Sequence, residues 1–401
     1  MAHSRTHRVL LLAIDLSDPA VHRRVTMLKA GGAAVTVAGF RRSAEMNIEV
    51  SGCVTVDFGR TYNGRLWHRA WCVMRELVLL FWRRGLYAQQ DAILARNLEM
   101  LAIGYFARAV SVPKPVLIYE CLDLHKFMLR QDPIGASFRW LEGFFSRPAA
   151  ALITSSPAFV ANYFRPLSKV RSPVRIIENK VLALAGQGEP RNHHASATND
   201  SAGVGEATPS LPYEIQPGPP WRIGWYGLIR CRRSLSVLSR LAEESNGLVE
   251  IMIRGRPWAD QFPSFEAEIA QVPGIRYLGQ YSNLKDLEEL YSSVHFSWTV
   301  DFTEDNGNSA LLLPNRLYEG GYYNCIPIAE LRHETGRFLV RLGIGVVLNA
   351  SSPDGLLKFF RELTAEQYES LRAAAGAVPK STWAYAREDC VALVQSLDGP
   401  R

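Results

Sequence analysis

No apolar run in this 401-residue sequence approaches the ~20 residues that a membrane-crossing helix needs, so no transmembrane segment is expected. The opening stretch "MAHSRTHRVLLLAID" has too short an apolar core for a secretory signal and runs straight into Asp15. Cysteines are few: Cys53, Cys72, Cys121, Cys231, Cys325 and Cys390. None pair at metal-ligand or redox spacing, and most sit in apolar runs, so they read as buried, reduced thiols of a cytosolic protein. A glycine-rich turn after the first strand is also missing. "RVLLLAI" leads into "DLSDPAV", which argues against a nicotinamide dehydrogenase. No nucleic-acid recognition motif is present, so no nucleic-acid partner is expected.

What is present is globular: 47% hydrophobic and 21% charged residues, in a chain too long for one ordinary core. The net charge of +6 suits an anionic partner without choosing among nucleotide, nucleic acid and acidic membrane. Short apolar runs alternate with amphipathic stretches, the pattern of a parallel sheet covered by helices. Strands are expected at 8–14, 34–40, 53–58, 91–95, 116–120, 150–154 and 174–178, with helices including 20–30, 65–84, 98–109, 136–147 and 157–164. The stretch 183–220 changes to Gly, Pro, Ala, Ser, Thr and Asn and reads as a mobile insertion beside a linker. Its His193 and His194 read as a solvated loop pair, since no third metal ligand is placed. A second alternating unit follows, with strands at 222–227, 249–255, 275–279, 294–298, 326–330 and 345–349. Helices are expected at 233–245, 262–271, 284–292, 314–323, 353–362, 365–376 and 381–396. The expected organisation is α/β: two Rossmann-like doubly wound domains, 1–182 and 221–380, facing each other across a cleft. The segment 183–220 links them, and a C-terminal helix in 381–401 packs back toward the first domain.

Two stretches carry candidate chemistry. In "GWYGLIRCRRSLSVLSRLA" (224–242), a strand ends at Gly227, where backbone can approach a ligand, and Arg230 and Arg233 precede a helix starting near Ser234. Fixed cations, free amides and a helix N-terminus suit a phosphate. Taken alone, a solvated basic turn explains it as well. In "LLLPNRLYEGGYYNCIPIAE" (311–330), Pro314 suits the first helical position and leaves the amides of Asn315 and Arg316 at the helix start. Glu319, one turn in, can accept hydrogen bonds from ribose hydroxyls, and Asn324 can end the helix in a left-handed conformation. The bland alternative is a surface Arg316–Glu319 pair worth a few tenths of a kcal/mol.

The ordered set "GLIRCRRSLSVL", "IMIRG", "YLGQYSNLKDLEELYSSVHFSWTV" and "LPNRLYEGGYYNCIPIAE" resembles the C-terminal domain of GT-B glycosyltransferases, family-4-like. Within these it looks like the bacterial enzymes of succinoglycan-type exopolysaccharide assembly. "DLSDPAVHRRVTMLKAGGAAVTVAGF", "VLIYECLDLHKF", "ALITSSPAFVANYF" and "VRIIENKV" resemble that family's first domain more loosely. The resemblance implies a UDP-sugar held by the C-terminal domain. Arg230 and Arg233 would lie at the diphosphate, Arg316 where the family often has Lys, and Glu319 at the ribose. The acceptor would lie on the N-terminal domain. It implies no cofactor and no bound metal, because cations and a helix dipole neutralise the leaving diphosphate.

Two positions depart from the family. Leu311 stands where retaining members carry the first of two glutamates, with Glu304 and Asp305 as nearby substitutes, and Leu122 stands at the family histidine, with Asp123 keeping the acidic partner. Stereochemistry stays open; an inverting reaction would need a general base, for which Asp123 is the candidate and Asp18 the reserve. Either can equally be a structural aspartate. Asn97 and Glu99 follow a strand end facing the same cleft, where they could touch the acceptor sugar; capping is the preferred reading of Asn97, and Ser155 and Ser156 read as a helix start.

The stretch "RLWHRAWCVMRELVLLFWRRG" (65–85) mixes Trp67, Trp71, Phe81 and Trp82 with Arg65, Arg69, Arg75, Arg83 and Arg84. Such a helix can lie in a headgroup layer or be a core helix with basic ends. The leading expectation is a cytosolic, peripheral enzyme at the inner face of the cytoplasmic membrane. It would move a hexose, with glucose from UDP-glucose the suggested donor, to a lipid-linked oligosaccharide. A sugar-nucleotide epimerase of the same fold and a non-catalytic nucleotide-binding scaffold are the alternatives.

Overall fold

The computed structural model describes residues 6–42, 49–62, 66–184, 215–281, 286–304 and 307–397. Arg65, His193, His194 and Asp305 lie outside these, as does most of the expected insertion. The chain divides into two compact units, Met1–Leu184 together with Tyr385–Arg401, and Ala185–Ala384.

In the first unit the strands are β1 (Arg8–Ala13), β2 (Ala34–Arg41), β3 (Val54–Arg60), β4 (Ala92–Arg96), β5 (Val116–Cys121), β6 (Ala149–Thr154) and β7 (Val174–Ile176), followed by a short β8 (Val181–Leu182). The first seven pair in the order β3-β2-β1-β4-β5-β6-β7, all parallel. A parallel sheet is covered on both faces, so its central strands must be apolar throughout. Accordingly Val9, Leu10, Leu11 and Leu12 of β1 are wholly buried. The order reverses between β1 and β4, and in doubly wound sheets ligands bind beyond the carboxyl ends of the strands at that switch point.

The second unit repeats the design with β9 (Trp221–Ile229), β10 (Val249–Pro257), β11 (Ile275–Tyr277), β12 (Phe296–Trp298), β13 (Ile326–Glu330) and β14 (Val346–Leu348). Their order is β11-β10-β9-β12-β13-β14, again parallel, which puts the switch point between β9 and β12. Trp221, Trp225, Ile251, Ile253, Phe296 and Trp298 belong to one apolar cluster there.

The helix Pro19–Ala30 starts where Pro19 cannot donate and Asp18 caps the Ala20 amide at 2.9 Å. The helix Arg387–Gln395 lies against it: a Cβ on Gly31 would stand 2.2 Å from the Cys390 carbonyl oxygen. Val21, Val25 and Leu28 share an apolar cluster with Cys390, Leu393 and Val394.

Several elements differ from the sequence expectation. The helix expected over 65–84 breaks into Leu66–Leu79 and Arg84–Ala88, because Leu80 turns inward while Phe81 and Trp82 face solvent. The closing helix also breaks, into Lys380–Trp383 and Arg387–Gln395, around the wholly buried Trp383. Two unexpected helices appear, Asn308–Leu311 and Glu334–Leu342. The second carries ordinary signals, an acid in its first turn, Arg341 in its last and Gly343 at φ +68 beyond it. Gly336 in its interior hides it from a propensity reading, and that glycine is there because a Cβ would meet the Glu330 carbonyl oxygen at 2.0 Å.

Candidate functional site

Backbone alone lines the start of the site in the second unit. Gly227 near the end of β9 has φ +104 and Gly255 on β10 has φ +138, a region L residues avoid. A Cβ on Gly255 would stand 1.8 Å from the Gly227 carbonyl oxygen, so only hydrogen fits between the strands. Among the described residues, the atom nearest to a Cβ added on Gly227 is the Tyr281 hydroxyl oxygen, at 3.9 Å.

The helix after β9 is Arg232–Glu244, so Arg233 lies in its first turn rather than ahead of it. The residue that starts this helix is Cys231, whose sulfur accepts from the Ser234 amide at 3.3 Å and also from the Phe302 amide at 3.3 Å. That second bond ties the helix start to the segment after β12. There Asp301, buried at 6% exposure, accepts from Arg230 Nη2 at 2.9 Å and stands 4.0 Å from Arg316. Burial alone would raise the Asp301 pKa; Arg230, Arg316 and the Thr303 hydrogen bonds outweigh it and bring it down to about 2. The Arg233 guanidinium lies 4.2 Å from the Phe302 ring centroid, a cation–π contact. The carboxyl ends of β9 and β12 therefore gather three arginines, Arg230, Arg233 and Arg316.

The helix carrying Arg316 is Asn315–Tyr322, and Pro314 precedes it as the cap in extended conformation, one position earlier than expected. Asn315 is its first residue. Arg316 is 12% and Glu319 5% exposed, so neither is a solvated surface charge. Glu319 accepts from the Tyr291 hydroxyl at 3.0 Å, and Arg316 Nη1 is buried with no hydrogen-bond partner among the described residues. Asn324 ends the segment at φ +60, as expected.

The chain is 41% identical over 390 residues to the succinoglycan biosynthesis protein ExoL of Rhizobium meliloti (strain 1021), covering 97% of this chain and 93% of that protein. It belongs to the ExoL family. No family model matches. Solved structures with the same fold include sucrose-phosphate synthase from Thermosynechococcus elongatus, with TM-score 0.67 and 12% identity over 98% of each chain. Another is Anabaena HepE in complex with UDP and glucose, with TM-score 0.66 and 13% identity over 97% of this chain and 98% of that one. WaaG, a glycosyltransferase involved in lipopolysaccharide biosynthesis, follows at TM-score 0.59 and 12% identity over 96% and 99%. The fold is that of GT-B glycosyltransferases, with two Rossmann-like α/β units.

In this ExoL-family chain the first unit places its sequence candidates separately. Asp18 is partly buried and engaged as a helix cap. Asp123 is exposed in the turn after β5. Leu122, at the position of the family histidine, is buried, and its carbonyl accepts from Ser155 at 3.1 Å. Ser156 caps the next helix, as expected. Asn97 is not a cap: it is the first residue of the helix Asn97–Val110, directly after β4, at φ +69. Glu99 pairs with Arg69. Of the two substitutes for the missing glutamate, Glu304 is exposed and Asp305 lies outside the described residues; Leu311 itself ends the short helix Asn308–Leu311.

Sequence reasoning overlooked Asp301, Phe302 and Cys231. An acid following the short apolar run of β12 was a usable signal, because β12 borders the switch point. It also overlooked a buried triad in the first unit. Glu120 at the end of β5 takes Arg24 at 2.7 Å and Arg96 at 2.6 Å, with all three side chains at 4% exposure or less.

Proposed function

We propose that this chain is a glycosyltransferase that moves a hexose from a UDP-sugar, with UDP-glucose the first donor to test, to a lipid-linked saccharide in exopolysaccharide assembly. The observation that carries the reading is the arginine cluster at the carboxyl ends of β9 and β12 in a GT-B unit of an ExoL-family chain. The Anabaena HepE structures were solved with UDP and UDP-glucose, which makes a uridine diphosphate donor the natural candidate here. Arg230, Arg233 and Arg316 would neutralise the diphosphate as it leaves, and Glu319 would meet the ribose. Asp123, exposed in the turn after β5, is the candidate base on the acceptor hydroxyl, with the helix-capping Asp18 in reserve. Incubation with UDP-glucose and membrane extract should release UDP. Tight UDP binding without turnover of any UDP-sugar would instead favour the scaffold, the reading that Leu311 and Leu122 keep open.

The acceptor reading extends to a membrane. Trp67 (91% exposed), Trp71, Met74 and Val78 recur at helical spacing on one face of Leu66–Leu79, and Phe81 and Trp82 continue the stripe. Three of the basic residues are engaged elsewhere. Arg69 turns to Glu99, Arg75 to the Phe58 carbonyl, and Arg83 to the buried Glu76 at 3.5 Å. Arg84 remains exposed beside the stripe, 5.3 Å from the Phe81 ring centroid. No described helix is long and apolar enough to cross a membrane. An aromatic face with a flanking cation suits the headgroup layer of an anionic bilayer, the proposed place being the inner face of the cytoplasmic membrane. In liposome flotation, Trp67/Trp71/Trp82→Ser should bind at least ~100-fold more weakly than the wild type, given roughly 1.5–3 kcal/mol per large apolar side chain buried. Equal binding by both proteins would remove this surface from the proposal.

A further inference from the structure

We infer that Asp301 is a positioning residue, holding Arg230 and Arg316 in the orientation in which they receive a diphosphate. The inference rests on the nucleotide reading above and adds to it a residue that never touches the donor.

Asp301 sits three residues beyond β12, at the switch point of the second unit. Both its oxygens are committed. Oδ1 accepts from the Thr303 amide at 2.9 Å and from the Thr303 hydroxyl at 2.6 Å, so its own loop fixes the carboxylate plane. Oδ2 faces the cations, accepting from Arg230 Nε at 3.3 Å and Nη2 at 2.9 Å with Arg316 Nη2 at 4.0 Å. Two guanidiniums meeting at one point repel each other. Arg316 is too buried for water to screen that repulsion well, so an anion between them is what allows both to stay. Arg230 is the more exposed of the two, at 32%.

The arrangement also leaves capacity for a ligand. Among the described ion pairs, Arg230 and Arg316 share the one carboxylate of Asp301. Arg316 retains a buried Nη1 without a partner among the described residues, a donor that a phosphate oxygen would satisfy. The next residue reinforces the arrangement: Phe302 supports Arg233 through its ring and bonds Cys231 through its amide. One short segment thus sets the orientation of arginines that come from two different helices and a loop.

The test is calorimetric titration of the wild type, Asp301→Asn and Thr303→Val with UDP and with uridine. The ratio of UDP to uridine affinity should fall about tenfold or more in Asp301→Asn, the scale of one charge-assisted hydrogen bond lost. It should fall by less in Thr303→Val, which keeps the carboxylate but loosens it. Uridine affinity itself should hold within about twofold, whereas general damage to the unit would lower both affinities together. A wild type that discriminates while both variants keep the full ratio, or bind UDP more tightly, overturns the positioning role alone. A wild type that binds UDP no better than uridine overturns the nucleotide reading and this inference with it.

Discussion

Alanine at Arg230 should weaken UDP binding by roughly 1.5–3 kcal/mol, and alanine at Arg233 by a similar amount, the range of hydrogen bonds to charged groups. Arg316 belongs to the same set, and the structure gives reasons to expect the largest effect there. Its side chain is the more buried, at 12% against 32% for Arg230, so less water competes for it. It also carries a buried Nη1 without a partner among the described residues. Lysine at Arg316 should recover only part of the loss, because a point charge on a flexible stem cannot reproduce the planar fork that Asp301 orients. Isothermal titration with UDP measures all three positions. Unchanged UDP affinity in all three alanine variants would remove the diphosphate site from the second unit.

The largest stability change is expected at Glu120. Its carboxylate is wholly buried between Arg24 and Arg96, which are 4% and 3% exposed. Glu120→Gln leaves two buried guanidiniums without their counter-ion, a defect that costs about 3–5 kcal/mol where a buried pair is broken on one side. Denaturant unfolding of the variant against the wild type reads this directly. A loss below about 1 kcal/mol, no more than an average substitution, would show that the triad is not a structural tie. The pH dependence has a definite sign. Burial alone would raise the Glu120 pKa, but the two arginines outweigh it and the folded-state value lies below that of an ordinary carboxylate. A depressed pKa stabilises the folded form above the unfolded-state value, about 4.3 for glutamate. That contribution fades as pH falls below this value and through the folded-state pKa. Glu120→Gln should therefore flatten the acid limb of the stability curve.

Much of the architecture was legible because a parallel sheet demands uninterrupted apolar strands. "RVLLLAI", "VLIYE" and "IPIAE" announce themselves, and the strand observed at Ile326–Glu330 starts and stops where the sequence reading puts it. What failed locally did so for identifiable reasons. The helix Arg232–Glu244 starts earlier than expected because its cap is a thiol, Cys231, rather than one of the usual oxygen-bearing residues. Asn97 looked like a cap because asparagine favours caps, yet it also tolerates positive φ better than most residues, and the sharp step from β4 into its helix uses that second property. Asp301 was hidden by distance along the chain. Its partner Arg230 lies 71 residues away, and only the strand order brings them together. Gly227, Arg230, Arg316 and Glu319 could be named from local motifs; the carboxylate that organises two of them lies outside those motifs.

The helix Arg387–Gln395 has a consequence for how the protein is made. It covers Val21, Val25 and Leu28, yet the ribosome produces it only after every residue of the second unit. During synthesis the first unit therefore carries an uncovered apolar stripe beside Gly31, kept waiting for about 200 residues of chain, some 10–40 s at ordinary rates of elongation. A chain cut at residue 384 would keep that stripe permanently bare, so the first unit depends for its finished surface on a segment made only after the second unit.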